Sequence, residues 1–403
     1  MRRTWLLLVG VLGAALGLGI VTVAQGTPTI RIAHPWAGGE WDVFQPVVEA
    51  AENALGIEIE AQLIRPADLR TVLPIQWAAG VAPADLFFGP TVPLILRGAR
   101  GGHLMDLTDL ASPEDFFPGM CDPVMVEGRL YALPYTQKPK VPGFWYRYSF
   151  FEEHGLAEPA NWPEFLALLD QIKAIGTVEA PIVTPVEHGE GWVLGDLVEN
   201  ILIAFGGPQL HRELAAGTIR WTDPLVKAIL EYRLVPLIQR GYFTEPTEIF
   251  PAVEKWWTGE GPLISILTAL LGVIEDPEDA GLFVIPGATG YVVAPDYVFV
   301  SSYTRYPEEA RALARWFATE GQELHIQRGG GVFATKPVPR ELYPPVERRV
   351  ADLLAGMACL PDIEQVCGGD FKVASYRSWP LLWVDPQSLS EILETLEEKQ
   401  PQP

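Results

Sequence analysis

Residues 29–88 read TIRIAHPWAGGEWDVFQPVVEAAENALGIEIEAQLIRPADLRTVLPIQWAAGVAPADLFF. The opening TIRIA alternates like a short strand, and the HPWAGG that follows is turn chemistry. Val43, Phe44, Val47, Val48, Ala51 and Leu55 then recur at helical spacing until Gly56 stops them. IEIEAQL alternates again over residues 57–63, residues 68–79 read as a helix closed by Gly80, and DLFF at 85–88 is the apolar run of a buried strand. The order is β-α-β-α-β. Such alternation predicts an α/β fold built on a mainly parallel sheet with helices on both faces.

Working outward, LPYTQKPKVPGF at 133–144 carries three prolines and two lysines in an otherwise extended pattern, which suits a crossing strand or linker better than a helix. Helical spacing returns at 162–175, 195–205, 223–240 and 249–258, giving a second, more helical lobe. Residues 294–302 return to a strand pattern, 307–320 to a helix, and Gly329, Gly330 and Gly331 precede a short strand at 332–335. An acidic amphipathic helix closes the chain at 388–399. Segments thus return to each lobe after leaving it.

At 403 residues, 48% hydrophobic and 20% charged, the chain is long enough for two domains of roughly 150 residues or more. Disorder, a disulfide miniprotein and a polytopic membrane protein are excluded by the aromatic content, by only three cysteines, and by a single long apolar run. Twenty-nine Lys and Arg against 51 Asp and Glu give a net charge of −22, which repels phosphate backbones, so no nucleic acid partner is expected. Arg2 and Arg3 before an apolar stretch at 5–24, with Thr22, Val23 and Ala24 at its end, predict a signal peptide over 1–26. The stretch approaches the roughly 20 residues that span a bilayer, so an uncleaved anchor is the alternative. No cysteine near the cut offers a site for lipidation. A periplasmic or extracellular destination makes disulfides possible, and Cys359 and Cys367 read as a small disulfide loop, with Cys121 left buried and inert.

The order of signals resembles the extracellular solute-binding proteins of ABC sugar importers, the broad group that includes maltose-binding protein. The matching passages are IRIAHPWAGGEWDVF, WAAGVAPADLFF, GGHLMDLTDL, GRLYALPYTQKPKVPGFWYRYSFFEEHGL, NWPEFLALLDQIK, ARALARWFATEGQ and GVFATKPVP, in that order. The resemblance implies two hinged lobes, each an α/β sheet layer, with a ligand cleft between them. It implies crossings at 135–141, 289–293 and 334–337. The N-terminal lobe would comprise 27–137 with 290–335, and the C-terminal lobe 138–289 with 336–403. It also implies an ABC permease as membrane partner, a monomer, and no cofactor.

A sugar offers flat C–H faces edged by hydroxyls, so its site needs aromatic plates and polar rims. Thirteen tryptophans are a heavy allotment for that purpose. Trp36 and Trp41 flank the glycine-rich turn at the carboxyl end of the first strand, with Glu40 between them, where α/β sheets bind ligands. Gly89, Pro90 and Thr91 follow the buried strand at the rim of the same lobe. By the resemblance, Lys140 falls at a crossing position that often carries an acid, Glu190 and Trp192 in HGEGW match a second-lobe loop bearing an acid and a plate, and Tyr376 and Trp379 in YRSWPLLW supply further stacking rings. The stretch ISILTALL at 264–271 lacks the glycine-aromatic ending common among such proteins. Trp256, Trp257 and Trp383 read as packing residues, and His188 as structural.

No nucleophile elbow, phosphate loop or His-Glu-x-x-His pair occurs, and the six histidines have no metal-ligand spacing, so neither catalysis nor a metal is expected. The expected function is capture of a carbohydrate, an oligosaccharide above all, and its delivery to a membrane permease. One alternative keeps the fold and changes the ligand to a polyol, a glycerophosphodiester or another small polar solute, with Lys140 the residue an anionic ligand would want. Another is a secreted carbohydrate-active enzyme, for which Glu40 and Glu190 are the motivated acid pair.

Overall fold

The computed structural model describes residues 26–187, 190–266, 268 and 274–401. The proposed signal peptide lies outside them apart from its last residue, as do His188 and half of the 264–271 stretch. The deciding stretch folds as β1 (Thr29–His34), α1 (Gly39–Leu55), β2 (Glu58–Leu63), α2 (Pro66–Ala78) and β3 (Leu86–Gly89), followed by α3 (Val92–Arg100). Gly38 makes the turn into α1 at φ 54°, a conformation open to glycine. Phe44, Val47, Val48 and Ala51 are the buried stripe of α1, and Glu40 and Asp42 suit its positive N-terminal end.

The remaining strands are β4 (Leu133–Lys140), β5 (Gly143–Arg147), β6 (Ile182–Val183), β7 (Leu263–Ile264), β8 (Ala280–Val284), β9 (Gly290–Val300), β10 (Phe333–Ala334) and β11 (Ala358–Pro361). A long helix, α4 (Trp192–Ala215), kinks at Gly207 and Pro208. After β11 come α5 (Ile363–Cys367) and α6 (Gly369–Val384).

The larger sheet has the order β10-β4-β9-β3-β1-β2, with β11 beside β9, and the smaller one runs β8-β5-β7-β6. The expectation of mainly parallel sheets is refined here. β1 is parallel to β2 and β3, but β9 is antiparallel to both β3 and β4, because β4 leaves the first lobe and β9 returns to it. The 133–144 stretch is therefore strand throughout its first eight residues, and Lys140 pairs with Val292 at the end of the crossing ladder. β11 adds a further strand there, with Cys359 opposite Tyr291.

One core gathers Trp36, Phe44, Phe88, Tyr135, Tyr297 and Phe317, and a second gathers Phe144, Phe165, Ile201, Leu230 and Trp379. Each such side chain contributes about 1.5–3 kcal/mol of hydrophobic stabilisation. No helix among the described residues is long and apolar enough to cross a membrane.

The disulfide expectation is corrected, since all three cysteines are free thiols. Cys359 lies on β11 beside Tyr291, whereas α5 carries Cys367 away to α4, where its thiol approaches the Ala215 carbonyl at 3.9 Å. Burial pushes the Cys359 thiol up to about 11 and that of Cys121 to about 12.

Candidate interlobe site

Alternation along β4 puts Lys138 and Lys140 on one face of the crossing strand, and the two lysines serve different lobes. Lys138 Nζ donates to Glu40 Oε1 at 2.6 Å, reaching the first turn of α1. Burial alone would lower its pKa, but Asp296 and Glu40 outweigh that and hold it above the ordinary lysine value. Burial also pushes Asp296 up to about 6, with Lys138 opposing the shift. Beside Glu40, half-buried Trp41 stacks on His34 with ring centroids 4.5 Å apart and planes 15° from parallel. The first lobe thus offers an aromatic face next to a carboxylate and an ammonium.

Lys140 is neither a solvated linker residue nor an open ligand contact. Its ammonium is buried between Asp196 of α4 and Asp362, which caps α5, with Asp362 Oδ2 at 2.7 Å. Burial would lower its pKa, yet Asp196 and Asp362 hold it well above the usual value. Asp362 is its ionised partner: burial would raise that carboxyl, and Lys140 more than cancels the effect. Desolvation pushes Asp196 up to about 8 despite Lys140, and Glu199 behind it to about 8.

The second lobe presents Glu190, Trp192 and Tyr376 around Gly191. Glu187 and Glu190 exchange both backbone hydrogen bonds, at 2.9 and 2.8 Å, and Trp192 Nε1 donates to Glu187 Oε2 at 2.8 Å. The Gly191 amide donates to the Tyr376 carbonyl at 2.7 Å, and a side chain at residue 191 would meet Pro380 Cδ at 2.5 Å. Glu190 is exposed, Trp192 and Tyr376 are half-buried, and Lys372 Nζ lies 5.3 Å from the Tyr376 ring centre.

Two expected plates are core residues instead, which corrects their assignment. Trp36 is 2% exposed and is enclosed by Phe44, Phe88, Tyr135 and His325. Trp379 is 1% exposed, 5.8 Å from Trp221, and wedged against α4 where Gly195 leaves room for its ring. Trp36, in the loop between β1 and α1, and Trp379, on the inward side of α6, are both enclosed, so neither offers a face to a ligand. Thr91 is also buried, at the N-terminus of α3, with its hydroxyl unpartnered. Trp256 is fully buried, and Trp257 and Trp383 pack partly against the cores.

Sequence reasoning passed over Lys138, Asp196, Glu187 and Asp362. The two-residue spacing in KPK was the available signal for Lys138, since a strand places both lysines on one face. No local pattern links residues 196 and 362 to residue 140.

The other face of the crossing ladder, carrying Gln137, Pro139 and Tyr291, borders a cavity of about 1070 Å³ lined also by Phe117, Val338 and Leu354 and by Arg212 and Ala215 of α4. Its lining is mostly apolar and it lies away from the paired lysines.

Two lobes joined by paired crossing strands, with aromatic and charged groups gathered on one face of the crossing, define a hinged solute-binding protein. The chain belongs to the bacterial extracellular solute-binding protein family, which it matches over residues 40–324. It is 41% identical over 382 residues to an uncharacterised ABC transporter extracellular-binding protein of Pyrococcus horikoshii, covering 94% of this chain and 90% of that one. An osmoprotective compounds-binding protein of Synechocystis is 26% identical over 208 residues, 50% of this chain and 48% of that one. Among solved structures, a chitin oligosaccharide binding protein superposes with a TM-score of 0.75 at 23% identity, covering 93% of this chain and 98% of that one. A maltose-bound Thermotoga maritima protein superposes with a TM-score of 0.71 at 18% identity, covering 93% and 99%. These two show the shared two-lobe fold.

Proposed function

We propose that the protein captures a carbohydrate, above all an oligosaccharide, between its lobes and delivers it to an ABC permease, making and breaking no bond. The observation that carries this reading is the face of β4 on which Lys138 and Glu40 meet beside Trp41, with Trp192 and Glu190 presented by the second lobe. Half-buried rings beside charged rims suit the flat faces and hydroxyl edges of a sugar. Relatives named for chitin oligosaccharide, maltose and raffinose share the architecture. The lobes would divide at 137/138, 289/290 and 335/336, with the protein acting as an exported monomer. The cavity behind the crossing strands also carries rings, Tyr291 and Phe333 among them, but its lining is mostly apolar, so the sugar is assigned to the lysine face, where ring, carboxylate and ammonium adjoin.

An affinity of about 1 μM, roughly −8 kcal/mol, would balance capture against release. Ligand shifts the open-closed equilibrium only by its preference for the closed form. Calorimetric titration with mono- and oligosaccharides tests the proposal, and heat from none of them overturns the sugar assignment. The Synechocystis relative, named for osmoprotective compounds, gives a second reading in which the solute is a small polar osmolyte, so polyols and a glycerophosphodiester belong in the same titration. An anionic solute loses its original motive, because Lys140 is already paired with two carboxylates. Release of chromophore from an aryl glycoside, abolished by Glu190→Gln, would instead favour the enzyme.

A further inference from the structure

Where the crossing strand enters the second lobe, four buried carboxylates gather around the Lys140 ammonium, with Lys372 close enough to act on Asp362 and Glu364 as well. Lys140 pairs with Asp196 and Asp362, and among the described residues no ion pair joins it to Glu199 or Glu364. Glu199 and Glu364, like Asp362, are each 2% exposed. Asp362 has both oxygens engaged, whereas the two glutamates are each half used. Glu199 Oε2 meets His211 Nε2 at 2.5 Å and accepts from the Ile363 amide at 3.4 Å. Glu364 Oε1 accepts from the Ser375 hydroxyl, and Asp362 Oδ1 accepts from the Gln365 amide at 2.9 Å. Glu199 Oε1 and Glu364 Oε2 are left buried with no hydrogen-bond partner, an expensive condition for a polar atom.

One oxygen from each of Glu199, Asp362 and Glu364 lies within 4.8 Å of the other two. That spread fits oxygens arranged around a common centre at the 2.3–2.6 Å of a calcium–oxygen bond, roughly. We propose that Glu199, Asp362 and Glu364 bind a hard divalent cation of the calcium class. All three donors are carboxylate oxygens, which favours calcium over softer transition metals. His211, hydrogen-bonded to Glu199 Oε2, would hold that carboxylate in place, as outer hydrogen bonds do for ligating carboxylates at metal sites. The cation would tie α4 to the β11–α5 segment, whose strand pairs with β9, and so brace the second lobe beside its crossing strand. Lys140 Nζ, on Asp362 Oδ2, opposes the ion and places the affinity in the weak extracellular range of about 10⁻⁴ to 10⁻³ M.

The experiment uses the full chain stripped with a chelator and returned to buffer. Calcium chloride is titrated by calorimetry, and thermal unfolding is followed with and without it. The expected result is a single site and a raised unfolding temperature, with Glu199→Gln and Glu364→Gln each weakening binding about tenfold or more while far-UV circular dichroism stays unchanged. A flat titration up to ~10 mM calcium overturns the proposal. So does an affinity unchanged in both variants, which would put the ion on the acidic surface. Should either variant fail to fold, anomalous scattering from wild-type crystals soaked in manganese decides: a peak among the three carboxylates supports the site, and a peak elsewhere or none overturns it.

Discussion

Lys138 Nζ lies 2.6 Å from Glu40 Oε1, so the first crossing strand is tied to the first turn of α1 by an ion pair at the edge of the interlobe site. Lys138 also provides the positive charge facing buried Asp296. Lys138→Met removes both interactions and leaves Asp296 without its counter-charge, at a cost of about 1–3 kcal/mol. Urea unfolding of the two proteins measures that cost. Ligand affinity, measured by calorimetry, is expected to fall as well, because Glu40 loses the group that holds it at the site.

Trp36 and Trp41 are five residues apart and have opposite expected phenotypes. Trp36→Ala empties a fully enclosed aromatic site and is expected to cost about 3–5 kcal/mol of stability. Trp41→Ala removes a half-buried ring and is expected to spare most of the stability while weakening ligand binding. Denaturant midpoints and sugar titrations on both variants separate the two roles. Equal loss of stability in both would remove Trp41 from the site.

The β-α-β-α-β opening was legible because periodicity of two and of 3.6 alternates cleanly there between glycine stops, and the observed strands and helices lie within a few residues of that reading. The second-lobe helices at Trp162–Lys173 and Ile249–Thr258 were legible for the same reason. α6 was not, because apolar residues stand on both its faces: Phe371, Trp379 and Leu382 pack inward while Val373, Leu381 and Val384 are exposed, so no single helical stripe stands out. The family resemblance located the site by region. Which face each ring presents was beyond it, since Trp36 and Trp379 differ from Trp41 and Trp192 in packing rather than in local sequence. The carboxylate cluster was invisible for another reason: Glu199 and Glu364 are brought together only by the return of the chain to the second lobe.

The free cysteines give a chemical check. Protein unfolded without reductant is expected to take alkylating reagent at Cys121, Cys359 and Cys367 alike, and reductant is expected to leave the unfolding temperature unchanged. Intact-mass spectrometry counts the adducts. A species carrying one adduct, with a 359–367 cross-link in its peptide map, would restore the disulfide loop.

His325 sets an acid limit on the first lobe. It is 2% exposed, its Nδ1 lies 2.8 Å from the Tyr135 hydroxyl, and burial, with Lys138 and Arg328 nearby, depresses its pKa to about 3. In the unfolded chain the same imidazole titrates near its ordinary value, about 6.5. Between those two values the unfolded state binds the proton and the folded state does not, so stability rises with pH across that window and falls as acid is added. The slope for one proton is about 1.4 kcal/mol per pH unit. Buried Asp296, raised to about 6, acts in the opposite sense, its contribution declining as pH rises from about 4 to 6. A single wild-type profile therefore mixes the two, whereas comparison with His325→Gln isolates the imidazole. The stability difference between wild type and His325→Gln is expected to move in favour of the variant as pH is lowered from 6.5 toward 3, and to be flat above 7. Urea unfolding at half-unit pH steps reads it directly; a difference that stays constant through that window would mean that the buried imidazole is protonated in the folded protein.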